Sequence, residues 1–167
     1  MKTVRDIMTA PVVTIDEESN ILAVAKLMVE KKIGSVAVTK NGKLSGIITE
    51  RDIAHKVVAA NKDATKTKVA EVMHAQITTT GVFTSVNAAS NILAQGGFRR
   101  LPVVDNNMLV GIVTETDIEI ALREEALEES QARMRDHYKF AEQLRKQETK
   151  IEELKNIILE LQNKLKE

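Results

Sequence analysis

The feature that most constrains the fold is an internal repeat, because a shift of 65 residues aligns the chain with itself without a gap. Residues 4–57, the first copy, match residues 69–122, the second copy, with 14 identities. Both copies open on Val-x-x-x-Met and close on Gly-Ile-(Ile/Val)-Thr-Glu-x-Asp-Ile. A similarity that keeps its register at both ends indicates a duplicated unit, and units this short must pack together to bury a core.

Each copy predicts the order strand, helix, strand, strand, helix, and the fold class is therefore α+β. In the first copy, residues 16–19 offer candidate N-caps for a helix, and Gly34 marks its end. Asn41-Gly42 predicts a two-residue hairpin turn, and Asn106-Asn107 takes its place in the second copy. A second helix begins at Thr49.

The pattern divides the chain into four parts. Residues 1–57 form the first domain, 58–68 a polar linker, 69–122 the second domain and 123–167 a tail. No glycine follows Gly111 and no proline follows Pro102, so one helix of about 50 residues, roughly 75 Å long, fits the sequence after Asp117.

The tail has the apolar spacing of a coiled coil and nearly balanced charge, with 10 basic and 11 acidic residues. Its later part places apolar residues at two heptad positions, namely Leu144, Ile151, Ile158 and Leu165 at one and Leu154 and Leu161 at the other. An earlier apolar series contains Leu127, Met134 and Ala141, with Tyr138 between them. This series is offset by three residues from the later one, which predicts local overwinding or a bend of the helix near 141–147. We expect self-association or docking of a protein partner, the alternative being a helix packed on its own domains.

Composition excludes several classes of function. Basic and acidic residues number 24 each, and aromatic residues are 2% of the chain, which argues against nucleic-acid binding. No apolar run is long enough for a signal peptide or a membrane span. The absence of cysteine excludes disulfides and thiolate metal sites and fits a cytoplasmic location.

No catalytic or metal-binding constellation is apparent in the sequence. His55, His74 and His137 lie far apart and have no metal-ligand spacing. We therefore expect a protein that is not an enzyme and that holds neither a metal nor a catalytic cofactor.

The sequence Thr-x-x-Asp occurs at the same place in both copies, as Thr49…Asp52 and Thr114…Asp117. One interpretation is structural, because threonine with an acid three residues later resembles a helix capping box. The other is functional, because a carboxylate accepts hydrogen bonds from the two hydroxyls of a ribose and a helix N-terminus attracts phosphate.

A pair of arginines breaks the symmetry of the repeat. Phe98-Arg99-Arg100-Leu101-Pro102 aligns with Ile33-Gly34-Ser35-Val36-Ala37. The arginines either mark a solvated strand entry or bind phosphate, for which the guanidinium group is well shaped.

Together these motifs resemble a tandem pair of CBS domains, also called a Bateman module, over about residues 1–122. The resemblance implies a pseudo-two-fold disc with two clefts that bind adenosine-containing ligands such as AMP, ADP or ATP. We also expect a homo-oligomer that associates through the CBS faces and the coiled coil of the tail, and the short apolar runs predict no contact with a membrane.

The resemblance also assigns residues to the two clefts. The first cleft would hold ribose and phosphate through Asp117, Thr114, Thr116, Arg99 and Arg100 and would enclose adenine with Ile112, Thr14, Ile33 and Gly34. The mirror cleft would use Asp52, Thr49, Ile47, Thr79 and Phe98. Arg51 replaces the threonine of the motif there, and Gly34-Ser35 offers no cation to a phosphate.

Two functions follow from these expectations. The first is a regulatory sensor of adenine nucleotides that transmits the bound state through dimerisation and the C-terminal helix. The alternative is a structural adaptor that uses the CBS pair and the coiled coil for oligomerisation and docking, without any ligand.

Overall fold

The structure, a computed structural model, describes the backbone of residues 2–164 and the side chains of residues 2–158. The chain divides into a compact unit, Met1–Leu122, which holds both copies of the repeat, and a second unit, Arg123–Glu167.

Both copies fold in the predicted order of strands and helices, and each begins with an additional short helical turn. The first copy comprises α1 (Val4–Ile7), β1 (Thr14–Asp16), α2 (Ile21–Lys31), β2 (Ser35–Lys40), β3 (Lys43–Thr49) and α3 (Glu50–Ile53), followed by a π-helical turn at Ala54–Val58. The second comprises a 3-10 turn at Val69–Glu71, β4 (Thr80–Gly81), α4 (Val86–Gly96), β5 (Arg100–Asp105), β6 (Met108–Thr114) and α5 (Glu115–Lys164). The α+β repeat is thus confirmed.

Each copy forms its own three-stranded sheet. β2 lies between β1, to which it is parallel, and β3, to which it is antiparallel, and β5 lies in the same way between β4 and β6. The predicted hairpin turns are confirmed: Asn41 and Gly42 have φ of 51° and 76°, and Asn106 and Asn107 have φ of 47° and 63°. Two successive residues with positive φ match the turn to the twist of the strands.

The N-caps of the two central helices are corresponding residues of the two copies. The Asn20 side chain accepts a hydrogen bond from the Ala23 amide at 2.9 Å, and Ser85 accepts one from the Ala88 amide at 3.2 Å. The prediction of a cap within residues 16–19 is wrong, because these residues form the end of β1 and a turn.

The end of α2 also differs from the prediction. The helix ends at Lys31, and Lys32 is the C-cap in the left-handed conformation, with φ of 53°. Gly34 lies two residues beyond the cap. Its position is close to Glu50, because a Cβ on Gly34 would lie 3.1 Å from the Glu50 carboxylate.

The opening segments of the two copies, residues 4–9 and 69–74, are exchanged between the sheets. Thr9 and Ile112 of the second sheet exchange backbone hydrogen bonds of 2.9 and 3.1 Å. His74 and Ile47 of the first sheet exchange bonds of 3.0 and 2.9 Å. Each copy therefore completes the other.

A glycine in the last strand of each sheet permits this exchange. A Cβ on Gly46 would collide with the sulfur of Met73, and a Cβ on Gly111 would collide with the sulfur of Met8. The terminal Gly-Ile motif and the opening Val-x-x-x-Met motif of the repeat are thus contact partners across the two copies.

Two apolar cores are built from these mixed contributions. The first contains Ile21, Val24, Met28, Val36, Val38, Ile48, Val57, Val69 and Val72. The second contains Val4, Val82, Val86, Ala89, Leu93, Leu101, Val103, Val113, Ile118 and Ala121. Val69 and Val72 come to the first core from the second copy, and Val4 comes to the second core from the first copy.

The segment predicted as a polar linker is attached to α2. Its carbonyl oxygens accept hydrogen bonds of 3.0 Å from N-terminal amides of the helix, Thr67 from Ile21 and Ala64 from Leu22. These amides have no partner within the helix. The linker therefore satisfies them and leads the chain into the exchanged segment 69–74.

The long C-terminal helix is confirmed as α5, which has 50 residues and remains helical through 141–147. The apolar heptad side chains of the second unit are exposed along its described part, including Leu127, Met134, Leu144, Ile151, Leu154 and Ile158. The side chains of Leu161 and Leu165 lie outside the described residues. Among the helices of the described chain, none combines the length and the apolar character of a membrane span.

Candidate ligand-binding site

A cavity of about 520 Å³ lies in the first unit. Its walls come from β3 and the start of α3, from the segment after His74, and from the junction of α4 with β5. The lining residues are Gly34, Ile47, Thr49, Glu50, Arg51, His74, Gln76, Ile77, Thr78, Gly96, Gly97, Phe98, Arg99 and Arg100. We call it the basic cavity, because its lining contains three arginines and a single carboxylate.

The arginines give the basic cavity an excess of positive charge over the single carboxylate of Glu50. Arg51 and Arg99 are exposed, whereas Arg100 is half-buried. Burial lowers the pKa of Arg100, Glu50 opposes this effect and Arg99 adds to it, yet the guanidinium stays charged at neutral pH. No described carboxylate forms an ion pair within 4 Å with any of the three. Their charge is therefore available to an anion.

The first Thr-x-x-Asp motif forms a capping box at the edge of this cavity. The Oδ2 atom of Asp52 accepts hydrogen bonds from the Thr49 amide at 3.0 Å and from the Thr49 hydroxyl at 2.5 Å. The Asp52 amide in turn donates to the Thr49 hydroxyl at 3.2 Å. The structural interpretation of the motif thus holds for this copy.

The second oxygen of Asp52 lies beside two nitrogen-bearing side chains. Oδ1 lies 3.0 Å from Nζ of Lys56 and 2.8 Å from Nε2 of His74. Burial alone would raise the pKa of Asp52, but the hydrogen bonds from Thr49 and Lys56 outweigh it and hold the pKa below its usual value. Asp52 is therefore a buried carboxylate, 4% exposed, surrounded by donors.

Lys56 and His74 also hold the exchanged segment against the first sheet. Lys56 also donates from Nζ to the Val72 carbonyl at 2.7 Å. His74 belongs to the segment itself and is bound by backbone hydrogen bonds to Ile47. Asp52 thus connects the helix cap, the exchanged segment and the wall of the basic cavity.

The second Thr-x-x-Asp motif has the same cap and different surroundings. Oδ2 of Asp117 accepts from the Thr114 amide at 2.8 Å and from its hydroxyl at 2.6 Å. The positions that correspond to Lys56 and His74 are Ala121 and Thr9. Neither provides a cation, and Asp117 is only half-buried.

The structure divides the predicted site residues into two groups. Those lining the basic cavity are Gly34, Ile47, Thr49, Arg99 and Arg100, together with Phe98. The arginine pair assigned to the first cleft thus lies with Ile47 and Thr49 of the mirror cleft. The predicted residues outside this lining are Thr14, Ile33, Asp52, Thr79, Ile112, Thr114, Thr116 and Asp117.

The predicted residues outside the lining occupy ordinary places in the fold. Thr14 is exposed in β1 opposite Ala37, and Thr79 is exposed just before β4. Ile33 packs against the first core. The backbone of Ile112 pairs with Thr9, and Thr116 is exposed in the first turn of α5.

Sequence reasoning missed His74 and Lys56 as parts of the site. The alignment of the copies contains a signal for them. Asp52 and Asp117 are the same residue type in corresponding positions, whereas Lys56 corresponds to Ala121 and His74 corresponds to Thr9. Recognising it required the knowledge that segment 69–74 packs on the other copy. Among the described residues, no three acidic or histidine side chains form a cluster able to hold a metal ion.

These features define the class of the protein: a tandem pair of α+β units that complete each other through exchanged segments. The model of the CBS domain family matches residues 4–59 and 69–124, and the chain belongs to this family. The CBS domain-containing protein YhcV of Bacillus subtilis is 38% identical over 120 residues, which cover 72% of this chain and 85% of YhcV.

Solved structures show the same fold. The CBS domain pair of protein MJ0100, in complex with 5′-methylthioadenosine and S-adenosyl-L-methionine, is 30% identical with a TM-score of 0.68 and covers 75% of this chain and 98% of that chain. The hexameric CBS-CP12 protein from bloom-forming cyanobacteria is 32% identical with a TM-score of 0.65 and covers 71% and 69%. One relative is thus in complex with adenosine compounds, and another is hexameric.

Proposed function

We propose that this protein is a cytoplasmic, non-catalytic sensor that binds an adenine nucleotide, AMP, ADP or ATP, and transmits the bound state through dimerisation and the C-terminal helix. Family membership supports the ligand class, since a relative of the same fold is in complex with adenosine compounds. The predicted roles of Asp117, Thr114 and Thr116 in a second site belong to this proposal.

The observation that carries the proposal is the chemistry of the basic cavity. Ile47, Ile77 and Phe98 provide an apolar surface suited to a flat base, and Arg99 and Arg100 provide charge suited to phosphate. A mostly apolar pocket with a few convergent polar groups is the usual form of a small-molecule site. A nucleotide combines the two properties in one molecule.

Calorimetric titration of the full chain with AMP, ADP and ATP tests this function. We expect saturable binding of at least one of them and weaker binding by the Arg100→Ala variant. Arg5→Ala is the matched control, because Arg5 is exposed on α1 and does not line the cavity. If none of the three nucleotides binds, the proposal is wrong.

Transmission of the bound state requires that the nucleotide prefer one arrangement of the protein over another. Sedimentation velocity with and without saturating nucleotide measures this preference. A ligand-dependent change in the sedimentation coefficient supports the sensor, whereas identical profiles favour the adaptor function.

The adaptor function has its own supporting observation, the exposed apolar side chains of α5 in the second unit. A two-position apolar stripe is what a partner helix buries. We propose that a second copy of the chain occupies it, giving a homo-oligomer. Ile151→Asn is expected to lower the mass measured by light scattering, and Thr149→Asn, which lies off the stripe, is not; equal masses for both variants contradict it.

A further inference from the structure

The two Thr-x-x-Asp motifs differ in how many acceptor positions their carboxylates have left. A carboxylate offers about four lone-pair positions to donors. At Asp52, the Thr49 amide and hydroxyl occupy one oxygen, and Lys56 and His74 lie within ion-pair distance of the other. These four contacts surround both oxygens of Asp52 and leave little room for a further donor.

Asp52 is also screened from the basic cavity. Its side chain is 5% exposed, and it is not among the lining residues, whereas His74 and Thr49 are. A ligand in the cavity therefore contacts His74 before it can reach the carboxylate. Recognition of ribose hydroxyls by Asp52 would require the loss of the 2.8 Å contact between Nε2 of His74 and Oδ1 of Asp52.

Charge in the cavity favours a different part of the ligand. Arg51, Arg99 and Arg100 line it against the single carboxylate of Glu50. Charge-assisted hydrogen bonds from guanidinium to phosphate are among the strongest polar contacts in proteins. Each additional phosphate on a ligand brings a further negative charge to these groups.

We infer that the basic cavity recognises nucleoside di- and triphosphates through their phosphate chain and does not recognise the ribose diol. This inference rests on the proposed function and specifies which part of the nucleotide the cavity recognises. His74 and Lys56 are the specificity-determining residues, because they occupy the carboxylate that would otherwise bind the diol. Asp117 has Ala121 and Thr9 in place of Lys56 and His74, so its carboxylate remains open to a ribose.

The test compares ATP, 2′-deoxy-ATP and adenosine by calorimetry. It uses the full chain carrying Asp117→Asn, which keeps an acceptor for the Thr114 cap and puts a donor in place of the second oxygen. We expect ATP and 2′-deoxy-ATP to bind within about threefold of each other, because loss of a hydrogen bond to a carboxylate would weaken binding by about tenfold or more. Adenosine is expected to bind at least roughly a hundredfold more weakly than ATP.

A second variant tests the role of His74 directly. In the Asp117→Asn chain, His74→Ala frees an acceptor position on Asp52 toward the cavity, so this double variant should prefer ATP over 2′-deoxy-ATP by about tenfold. His55→Ala is the matched control, because His55 is exposed on the neighbouring π-helical turn and does not line the cavity. It should leave the ratio unchanged.

The outcomes separate this inference from the proposed function. If 2′-deoxy-ATP binds tenfold or more weakly than ATP, or if adenosine binds as tightly as ATP, the inference is wrong and nucleotide sensing stands. The inference is also wrong if the ratio of ATP to 2′-deoxy-ATP affinity in the Asp117→Asn chain is the same with and without His74→Ala. If the wild-type chain binds a nucleotide and the Asp117→Asn protein does not, the inference is wrong, because binding then depends on Asp117. If neither protein binds a nucleotide, the proposed function itself is wrong.

Discussion

The two copies share the cap at the start of α3 and α5 and differ in the side chains that approach the carboxylate of the cap. Asp52 is buried and contacts Lys56 and His74, whereas Asp117 is half-buried and has Ala121 and Thr9 at the corresponding positions. The cap is needed in both copies because it satisfies amides at the helix start. The repeated Thr-x-x-Asp cap therefore has a structural role, and the chemical differences between the two carboxylates come from the neighbouring positions that have diverged.

The largest expected difference between the copies concerns the two aspartates. Asp52→Ala removes a cap and also removes the anion beside Lys56 and His74, so we expect a loss of about 3 kcal/mol in the free energy of unfolding. Asp117→Ala removes only a cap and should cost about 1 kcal/mol. Urea unfolding at pH 7, followed by circular dichroism, measures both values.

The pH dependence of that difference provides its control. The pKa of Asp52 is lower in the folded chain than in the unfolded chain, so its stabilisation is present above the unfolded pKa of about 3.9 and lost as the pH falls through the folded pKa. The gap between wild type and Asp52→Ala should persist from pH 7 to pH 5 and shrink below about pH 4. Equal costs for the two aspartates at pH 7 would mean that Lys56 and His74 contribute nothing.

The next difference concerns the glycines that receive the exchanged segments. A Cβ on Gly46 meets the Met73 side chain and lies 3.1 Å from the His74 carbonyl oxygen, whereas the three atoms nearest to a Cβ on Gly111 all belong to the Met8 side chain. Overpacking costs about 1–3 kcal/mol. We expect the loss in the free energy of unfolding to lie near the upper end of this range for Gly46→Ala and near the lower end for Gly111→Ala. A methionine side chain can move away from the new Cβ, whereas a hydrogen-bonded backbone carbonyl cannot.

Shortening the methionines tests this reason for the glycine difference. Met8→Ala should recover most of the loss in Gly111→Ala, whereas Met73→Ala should recover less of the loss in Gly46→Ala, since the His74 carbonyl remains. Double-mutant cycles from calorimetric unfolding measure both couplings. Full recovery in both pairs would show that the backbone contact does not matter.

The local features of the fold could be predicted from the sequence, because short-range physics decides them. The turns at Asn41-Gly42 and Asn106-Asn107 depend on residues that tolerate positive φ, and the Thr49 cap depends on four neighbouring residues. The N-cap was misplaced within residues 16–19 for a related reason: polar residues there also suit the turn that they form. Whether residues 16–19 form a turn or cap the helix depends on the pairing of β1 with β2, and β2 lies outside these residues.

The exchange of the opening segments could not be predicted, because its cause is not local. Val4 and Val69 occupy the same position in the repeat, and either fits an apolar core. Nothing in their spacing states which sheet each one meets. The partition of the site follows from this exchange, since it brings His74 to Asp52 and the wall after His74 to Arg99 and Arg100.

The smallest expected difference is a gain in stability at a position where the copies differ in polarity. Thr80 is 5% exposed, and its hydroxyl has no hydrogen-bond partner among the described residues, whereas the corresponding residue of the first copy is Ile15. Thr80→Val keeps the shape and removes the buried hydroxyl, so the chain should gain about 1 kcal/mol in the free energy of unfolding. Thr9→Val, at an exposed side chain, should change it by less than about 0.5 kcal/mol. A loss of stability in Thr80→Val would mean that the hydroxyl is satisfied by a buried water, and the second core would then be less apolar than the first.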